Sequence, residues 1–456
     1  MADIVILGAG LTGLSIAYHL EQKGYYDFKI FEKESSVGGL CRSISQDGFT
    51  FDYTGHLLHI NDLYVKNFVQ ELVGFEHFNT IERRSFIYSH NTYTPYPFQI
   101  NLHGLPHHVI VECIEKYINR PRTNYHPKTF YSWVLKSFGE GLGKHFFFPY
   151  QKKIFDYDVQ KLTASWTGRF VPSTSLQEML YGALAIHKNK NIGYNSEFLY
   201  PIKGGIFSWV HALHQTLTTP VQTDHTIVKI DIKNKIIVCA NGHTEPYKQI
   251  ISTIPLDIFI QKLQEPSSSH ISRAQRHLLC TKVININMGI SIPELSDKHW
   301  VYYPESEYPF YRIGFSHNFS PYMAPKDCSS LYGEISYINA DSHKIAQLTI
   351  QARRAIMQLF HLRPADIVTE KIIPISHAYV IYNAWRDRNI SRLLQTLESY
   401  DLFTCGRYAE WKYSSMQEAI LDGKKIADRL LFTPSQTDQK TILHQSHSNQ
   451  PLYTES

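Results

Sequence analysis

Residues 2–13 read Ala2-Asp3-Ile4-Val5-Ile6-Leu7-Gly8-Ala9-Gly10-Leu11-Thr12-Gly13, and this stretch decides the fold. Residues 2–7 are an apolar run of strand length. Three glycines follow at G-x-G-x-x-G spacing. Residues 14–20, Leu-Ser-Ile-Ala-Tyr-His-Leu, have helical spacing that stops at Gly24. Residues 28–31, Phe-Lys-Ile-Phe, are a second short apolar run, and Glu32 ends it. Strand, glycine turn, helix and strand in that order predict a βαβ unit with parallel strands. Gly8 permits the tight turn, Gly10 lets the backbone approach a pyrophosphate, and Gly13 lets the helix pack closely on the sheet. The helix N-terminus offers free N–H groups and a partial positive charge to phosphates. Glu32 is placed to accept hydrogen bonds from ribose hydroxyls. The bland alternative is a glycine turn in an empty βαβ unit.

The rest of the chain bounds the answer. It has 456 residues and a mass of 52.8 kDa, which suggests roughly three domains. Hydrophobic residues make up 43% and charged residues 19%, a globular composition rather than a disordered one. No stretch offers the ~20 uninterrupted apolar residues of a membrane span. The apolar N-terminus lacks the basic start of a signal peptide and carries Asp3 there. Six cysteines without a CxxC pair fit neither a disulfide scaffold nor a zinc site, so a reducing cytoplasm is expected. No His/Cys/Asp/Glu cluster has metal-ligand spacing, so no metal is expected. A net charge of +4 does not call for nucleic acid and suits a small anionic substrate.

Periodicity predicts helices over 62–78, 107–117, 128–145 and 176–187. A hairpin is expected over 226–239 and a buried strand over 249–254. Residues 281–290, 299–303, 310–315 and 330–337 alternate like strands of a second, antiparallel sheet. Helices are expected over 344–361 and 416–431, with a buried strand at 402–405 between them. The Ser-, Gln-, Thr- and His-rich residues from 433 on read as a mobile tail.

Glu32 continues through Lys-Glu-Ser-Ser-Val to Gly38-Gly39-Leu-Cys-Arg42. This resembles the extended FAD motif of the amine oxidase and protoporphyrinogen oxidase superfamily. Residues 48–56, ending in Gly55-His56, resemble the superfamily's segment that approaches the isoalloxazine. Residues 251–255, Ile-Ser-Thr-Ile-Pro, and 402–407, ending in Gly406-Arg407, resemble its later flavin motifs. The resemblance implies FAD, held by Gly8, Gly10, Gly13, Glu32, Gly38, Gly39, Arg42, Gly55, Gly204, Gly205, Gly406 and Arg407.

Further segments resemble the UDP-galactopyranose mutase family, in its eukaryotic-type branch. They are Thr94-Pro-Tyr96-Pro-Phe-Gln99, Phe148-Pro-Tyr150-Gln151, Ser165-Trp166-Thr-Gly-Arg169, Tyr200-Pro-Ile-Lys203-Gly204-Gly205, Pro309-Phe-Tyr311-Arg312, His377-Ala-Tyr379 and Gly406-Arg407-Tyr-Ala-Glu-Trp411-Lys-Tyr413. This likeness runs from about residue 3 to 431. It implies an isomerase of cell-surface polysaccharide biosynthesis that interconverts pyranose and furanose forms of a UDP-sugar, UDP-galactose in the family, through a reduced-flavin N5–sugar adduct. An electron donor such as NADPH would reduce the flavin. His56, Arg312, Tyr379 and Tyr413 fall on its catalytic positions, with Arg312 as pyrophosphate anchor. Tyr96, Gln99, Arg169 and Phe319 fall on its substrate side. The family's second phosphate arginine aligns with Phe170, one place after Arg169, and a family tyrosine is Phe319 here. These departures touch the substrate site and leave the FAD site intact.

The expected class is α/β, a Rossmann-like FAD-binding domain with a helical insertion and an antiparallel sheet substrate domain. The FAD domain would comprise residues 1–90, 201–260 and 396–432. The helical substrate-side domain would be 91–200, the sheet domain 261–395 and the tail 433–456. Two other functions stay open. One is an oxidase or desaturase of the amine oxidase and protoporphyrinogen oxidase type. The other is a non-catalytic flavoprotein. Arg312 could also simply pair with a carboxylate on its sheet.

Overall fold

The computed structural model describes residues 2–122, 126–185, 196–264 and 269–432, without the side chains of Arg169 and a few others. Strand β1 (Ala2–Leu7), helix α1 (Leu11–Gln22) and strand β2 (Phe28–Phe31) form the expected βαβ unit. β1 pairs in parallel with β2 on one side, Leu7 opposite Phe31, and with Thr244–Ser252 on the other, Leu7 opposite Ser252. Thr244–Ser252 in turn takes Leu402–Thr404 in parallel. The glycine turn, Thr253 and Gly406 therefore sit together at the carboxyl edge of one sheet, where open α/β sheets bind ligands. Alternate residues of β1 face opposite ways. Ile4 and Ile6 join one core with Leu14, Ile16, Leu213 and Ile420, while Val5 and Leu7 join another with Leu256, Phe259 and Leu393. Burial on both faces is why β1 reads as a continuous apolar run.

The second sheet has seven strands in the order Ile367–Ile375, Lys282–Ile290, Ser329–Tyr337, Arg312–Gly314, Trp300–Tyr302, Ser85–Ser89, Thr92–Pro95. It is antiparallel except where Trp300–Tyr302 lies parallel to Ser85–Ser89. Alternation again assigns two faces. Ile284, Ile286, Met288, Ile313, Leu331 and Ile335 pack under the helix Ser342–Leu359 through its Ala352 and Ile356. The opposite face carries Asn285, Arg312, Tyr332 and Glu334. Asn285 Nδ2 donates to the carbonyls of Asp52 and Tyr53, at 3.2 and 2.7 Å, tying this polar face to the end of strand Phe49–Asp52.

The helical insertion comprises His107–Ile118, Phe130–Leu142, Phe148–Phe155 and Leu176–Leu184. Thr129 and Ser175 cap two of these helices with their side chains. Gly141 lets two helices touch: a Cβ there would lie 2.7 Å from Cys113 Cα.

Several boundaries differ from the sequence reading. The helix expected over 62–78 ends at Leu72, and Phe78–Glu82 is a strand paired with Glu197–Pro201. The helix expected over 128–145 ends at Leu142 and passes through a wide turn, Gly143–Phe147. The tail from 433 lies outside the described residues, as does the end of the helix expected to reach 187. The six cysteines are free. Among the described residues no helix is long and apolar enough to cross a membrane, and no His/Cys/Asp/Glu group could hold a metal.

Candidate active site

Five chain segments meet at the N-terminus of α1. Gly10 is its N-cap residue, with no capping side chain and no acidic residue in the first turn. The first-turn N–H groups are thus left for an outside anion. Gly13 must lack a side chain, because a Cβ there would sit 2.0 Å from Gly8 O. Gly10 and Gly38 form a bridge, and a Cβ on Gly39 would come within 3.2 Å of Gly10 Cα. Gly406 packs on Thr12 from the other side, where a Cβ would lie 2.5 Å from Thr12 Oγ1. The buried Glu32 carboxylate accepts from Ala9 N at 2.8 Å and Glu34 N at 3.0 Å, which fixes it at the end of β2. Arg42 donates Nε to Gly39 O at 2.9 Å and lies over the Tyr53 ring. Gly204 and Gly205 adopt positive φ, and Gly205 rests on Ser43 and Asp52. An uncapped helix start lined by backbone with no Cβ fits a dinucleotide pyrophosphate, and a fixed carboxylate at the second strand end fits its ribose.

Asp52 lies within the 48–56 segment, and the sequence reading gives it no role. It is 6% exposed and accepts from Ser43 Oγ at 2.6 Å, Tyr200 Oη at 2.6 Å and Ile206 N at 3.3 Å. Burial raises its pKa to about 6 despite these donors.

Beyond this cradle a second cluster forms. His56 hydrogen-bonds through Nδ1 with Thr54 Oγ1 at 3.0 Å. Burial, then the charges of Arg407 and Arg312, depress its pKa to about 4. Arg407 donates Nη1 to Ser414 O at 2.6 Å and Nη2 to Ala378 O at 3.3 Å. Its guanidinium lies 5.5 Å from the ring centres of Tyr408 and Tyr413. Tyr379 Oη meets Tyr311 Oη at 3.3 Å, and Tyr413 Oη donates to Val380 O at 3.1 Å. Burial raises the pKa of both Tyr379 and Tyr413, so both hydroxyls keep their protons at neutral pH. Arg312 forks onto Glu334: Nε to Oε2 at 2.6 Å, Nη2 to Oε1 at 2.8 Å. The carboxylate partner that its sequence left open is therefore present.

A pocket of about 130 Å³ opens beside this cluster, lined by Tyr96, Gln99, Tyr150, Gln151, Phe170 and Tyr302 among others. The two regions are continuous. Tyr302 stands opposite Arg312 in the sheet, and Tyr413 makes edge contacts with Phe170 and Trp166. Gln99 donates Nε2 to Pro172 O at 2.7 Å. Trp166 also lines the pocket, and its indole N–H has no hydrogen-bond partner among the described residues.

The structure therefore brings together His56, Arg312, Tyr379, Tyr413 and Arg407, with Tyr96 and Gln99 next to them. Phe319 stands apart, 2% exposed and packed against Phe198, Tyr200 and His299. Arg169 lies in the short turn Gly168–Phe170, and its side chain is outside the described residues. Glu334, Asp52, Tyr302 and Trp166 have no assigned role in the sequence reading, although Asp52 and Trp166 lie within segments that carry the resemblance.

The family model for flavin containing amine oxidoreductases matches residues 11–329. Curated relatives include 4,4'-diapophytoene desaturases (4,4'-diaponeurosporene-forming) of Staphylococcus aureus strains bovine RF122 / ET3-1 and MRSA252. Each is 34% identical over 90 residues, 20% of this chain and 17% of the relative. The chain thus spans less than a fifth of the length of these relatives. Among solved structures, reduced UDP-galactopyranose mutase aligns with a TM-score of 0.88 at 24% identity, covering 96% of this chain and 95% of that one. The CLA-producing fatty acid isomerase of P. acnes aligns with a TM-score of 0.64 at 12% identity, covering 95% and 99%. At these identities the structural likeness speaks for the fold.

Proposed function

The chain belongs to the flavin containing amine oxidoreductase family and is an FAD enzyme, and from that premise we propose that it is a mutase interconverting the pyranose and furanose forms of a UDP-sugar, UDP-galactose first. One observation carries the reading. Arg312, Arg407 and the hydroxyls of Tyr311, Tyr379 and Tyr413 gather beside a ring-lined pocket that also holds the Gln99 and Gln151 amides. Fixed guanidinium groups suit a diphosphate. Ring faces and amides suit a pyrimidine base. Reduced FAD, when bound, supplies an electron-rich nucleophile toward the anomeric carbon without net redox change.

The chain's own residues would divide the remaining work. Arg312 anchors the diphosphate through Nη1, which has no hydrogen-bond partner among the described residues. Tyr379 donates its hydroxyl to a phosphate oxygen. Tyr413 donates likewise by releasing Val380 O. His56 stays neutral beside two arginines and holds its loop. Tyr96 and Gln99 take the base, with Arg169 toward the substrate. NADPH is a suitable reductant.

A second reading, an FAD oxidase or desaturase, is favoured by the short desaturase matches and by the engagement of Arg312 with Glu334. UDP titration of the flavin spectrum separates the two. The mutase reading expects a UDP-dependent spectral change, and an Arg312→Ala variant that keeps its flavin but binds UDP at least ~10-fold more weakly. Full UDP binding by that variant removes Arg312 from the phosphate site. Reduction of the flavin by an amine or apolar substrate, with no response to UDP, selects the oxidoreductase.

A further inference from the structure

The geometry points to Glu334 as the residue that sets how Arg312 meets a diphosphate, an inference that rests on the site proposed above. Glu334 lies on Ser329–Tyr337 directly opposite Arg312, and its side chain is 0% exposed. Both of its oxygens are spent on one guanidinium edge, at 2.6 and 2.8 Å. That fork locks the guanidinium plane. It leaves Nη1 as the edge available to a ligand. Tyr332 and the Gly55 backbone crowd the same group: the ring centre is 5.9 Å from Arg312 Cζ, and a Cβ on Gly55 would come 3.7 Å from Nη2.

Two consequences follow for a diphosphate. The orientation of Arg312 is settled before the ligand arrives, so little ordering is lost on binding. The arginine's charge is already matched by a buried carboxylate, so an incoming diphosphate meets a nearly neutral pair rather than a bare cation. Glu334 therefore moderates the hold on the diphosphate. A mutase needs that moderation, because its product carries the same diphosphate as its substrate and must dissociate at the end of each turnover. A purely structural ion pair would have no such effect on ligand affinity. Glu334 makes no contact with substrate in this assignment. It is a positioning residue acting through Arg312.

The test uses the full chain with its FAD and two probes, UDP and inorganic pyrophosphate, followed by flavin absorbance. Turnover of UDP-galactofuranose is measured with reduced flavin. Glu334→Gln removes the counter-charge and is expected to bind both probes ~5-fold tighter while kcat falls ~10-fold, since release is slowed and the fork is lost. Glu334→Asp keeps the charge and is expected to bind within ~2-fold of wild type. Unchanged or weaker pyrophosphate binding by Glu334→Gln overturns the inference. So does an unchanged kcat. A wild type that binds pyrophosphate but not UDP refutes the nucleotide reading alone, and the pyrophosphate comparison still decides Glu334. Failure of the wild type to bind either probe refutes both. If Glu334→Gln does not retain flavin, Arg312→Lys replaces it, and unchanged pyrophosphate binding there overturns the inference.

Discussion

Replacing Gly55 by alanine should disturb the Arg312 side of the site through Tyr332. A methyl group at this position would lie 2.1 Å from Tyr332 Oη and 3.0 Å from Cζ. A relaxed carbon contact needs about 3.5 Å, so the ring must retreat by more than about 1 Å. Its retreat is blocked. Tyr332 is 2% exposed and already lies on Gly314, where a Cβ would meet Tyr332 Cζ at 2.0 Å. Overpacking of this kind costs about 1–3 kcal/mol, and a clamped ring belongs at the upper end. The same methyl comes within 3.7 Å of Arg312 Nη2, so the guanidinium should shift with the ring. Flavin-release melting and UDP titration read the two effects. Gly55→Ala should melt lower than wild type and bind UDP more weakly. Tyr332 Oη has no hydrogen-bond partner among the described residues, so Tyr332→Phe alone should cost little. In the Tyr332→Phe background the alanine loses its closest contact, and the double variant should recover about 1 kcal/mol. Equal losses in both backgrounds, or no loss in either, would refute the reasoning.

Three further outcomes are expected. Asp52 has its folded pKa raised by burial to about 6, from the ordinary 3.8, so the folded chain keeps a proton there that the unfolded chain releases. Its contribution is full below about pH 4 and is lost as pH rises to about 6, up to about 3 kcal/mol. The wild-type-minus-Asp52→Asn difference in denaturant midpoint across that range measures it, and a flat difference contradicts the assignment. His56 runs the other way. Its folded pKa of about 4 lies below the usual 6.5, so its contribution holds above about pH 6.5 and is lost as pH falls toward 4; comparison with His56→Gln over that interval checks the slope. Glu32→Gln can accept only one of the two backbone N–H groups with its oxygen, and FAD titration should show affinity weakened ~10-fold. Unchanged affinity would remove Glu32 from the ribose.

The glycine turn was legible because its constraints are local. Gly13 against Gly8 O is a demand that near neighbours make on one another, and it leaves a spacing in the chain, while Gly39 closes on Gly10 from beyond β2. Strands made by distant partners left less. Phe78–Glu82 reads as the tail of a helix until Glu197–Pro201 is beside it. Ile367–Ile375 contains Pro374, which hides a strand at the rim of its sheet. The helix Ala384–Glu398 was overlooked although Asn383 caps it, since its apolar positions are diluted by Arg386, Asp387, Arg388 and Arg392. At the site, Arg312 could be marked from its segment, but its engagement could not. The missed signal was Glu334, a carboxylate within the apolar strand Ser329–Tyr337, where burial demands a cationic or hydrogen-bonding partner. Trp166 falls within a segment that carries the mutase likeness, but neither it nor Tyr302 is marked for the pocket, because an aromatic residue in a strand or turn looks like core until the pocket beside it is seen.

Mutase chemistry at a reduced flavin stands or falls on turnover. The most direct measurement is turnover of UDP-galactofuranose by the purified flavoprotein, once oxidised and once after dithionite reduction. The account predicts conversion to UDP-galactopyranose only in the reduced enzyme, with no net consumption of reductant. No conversion in the reduced enzyme would contradict it.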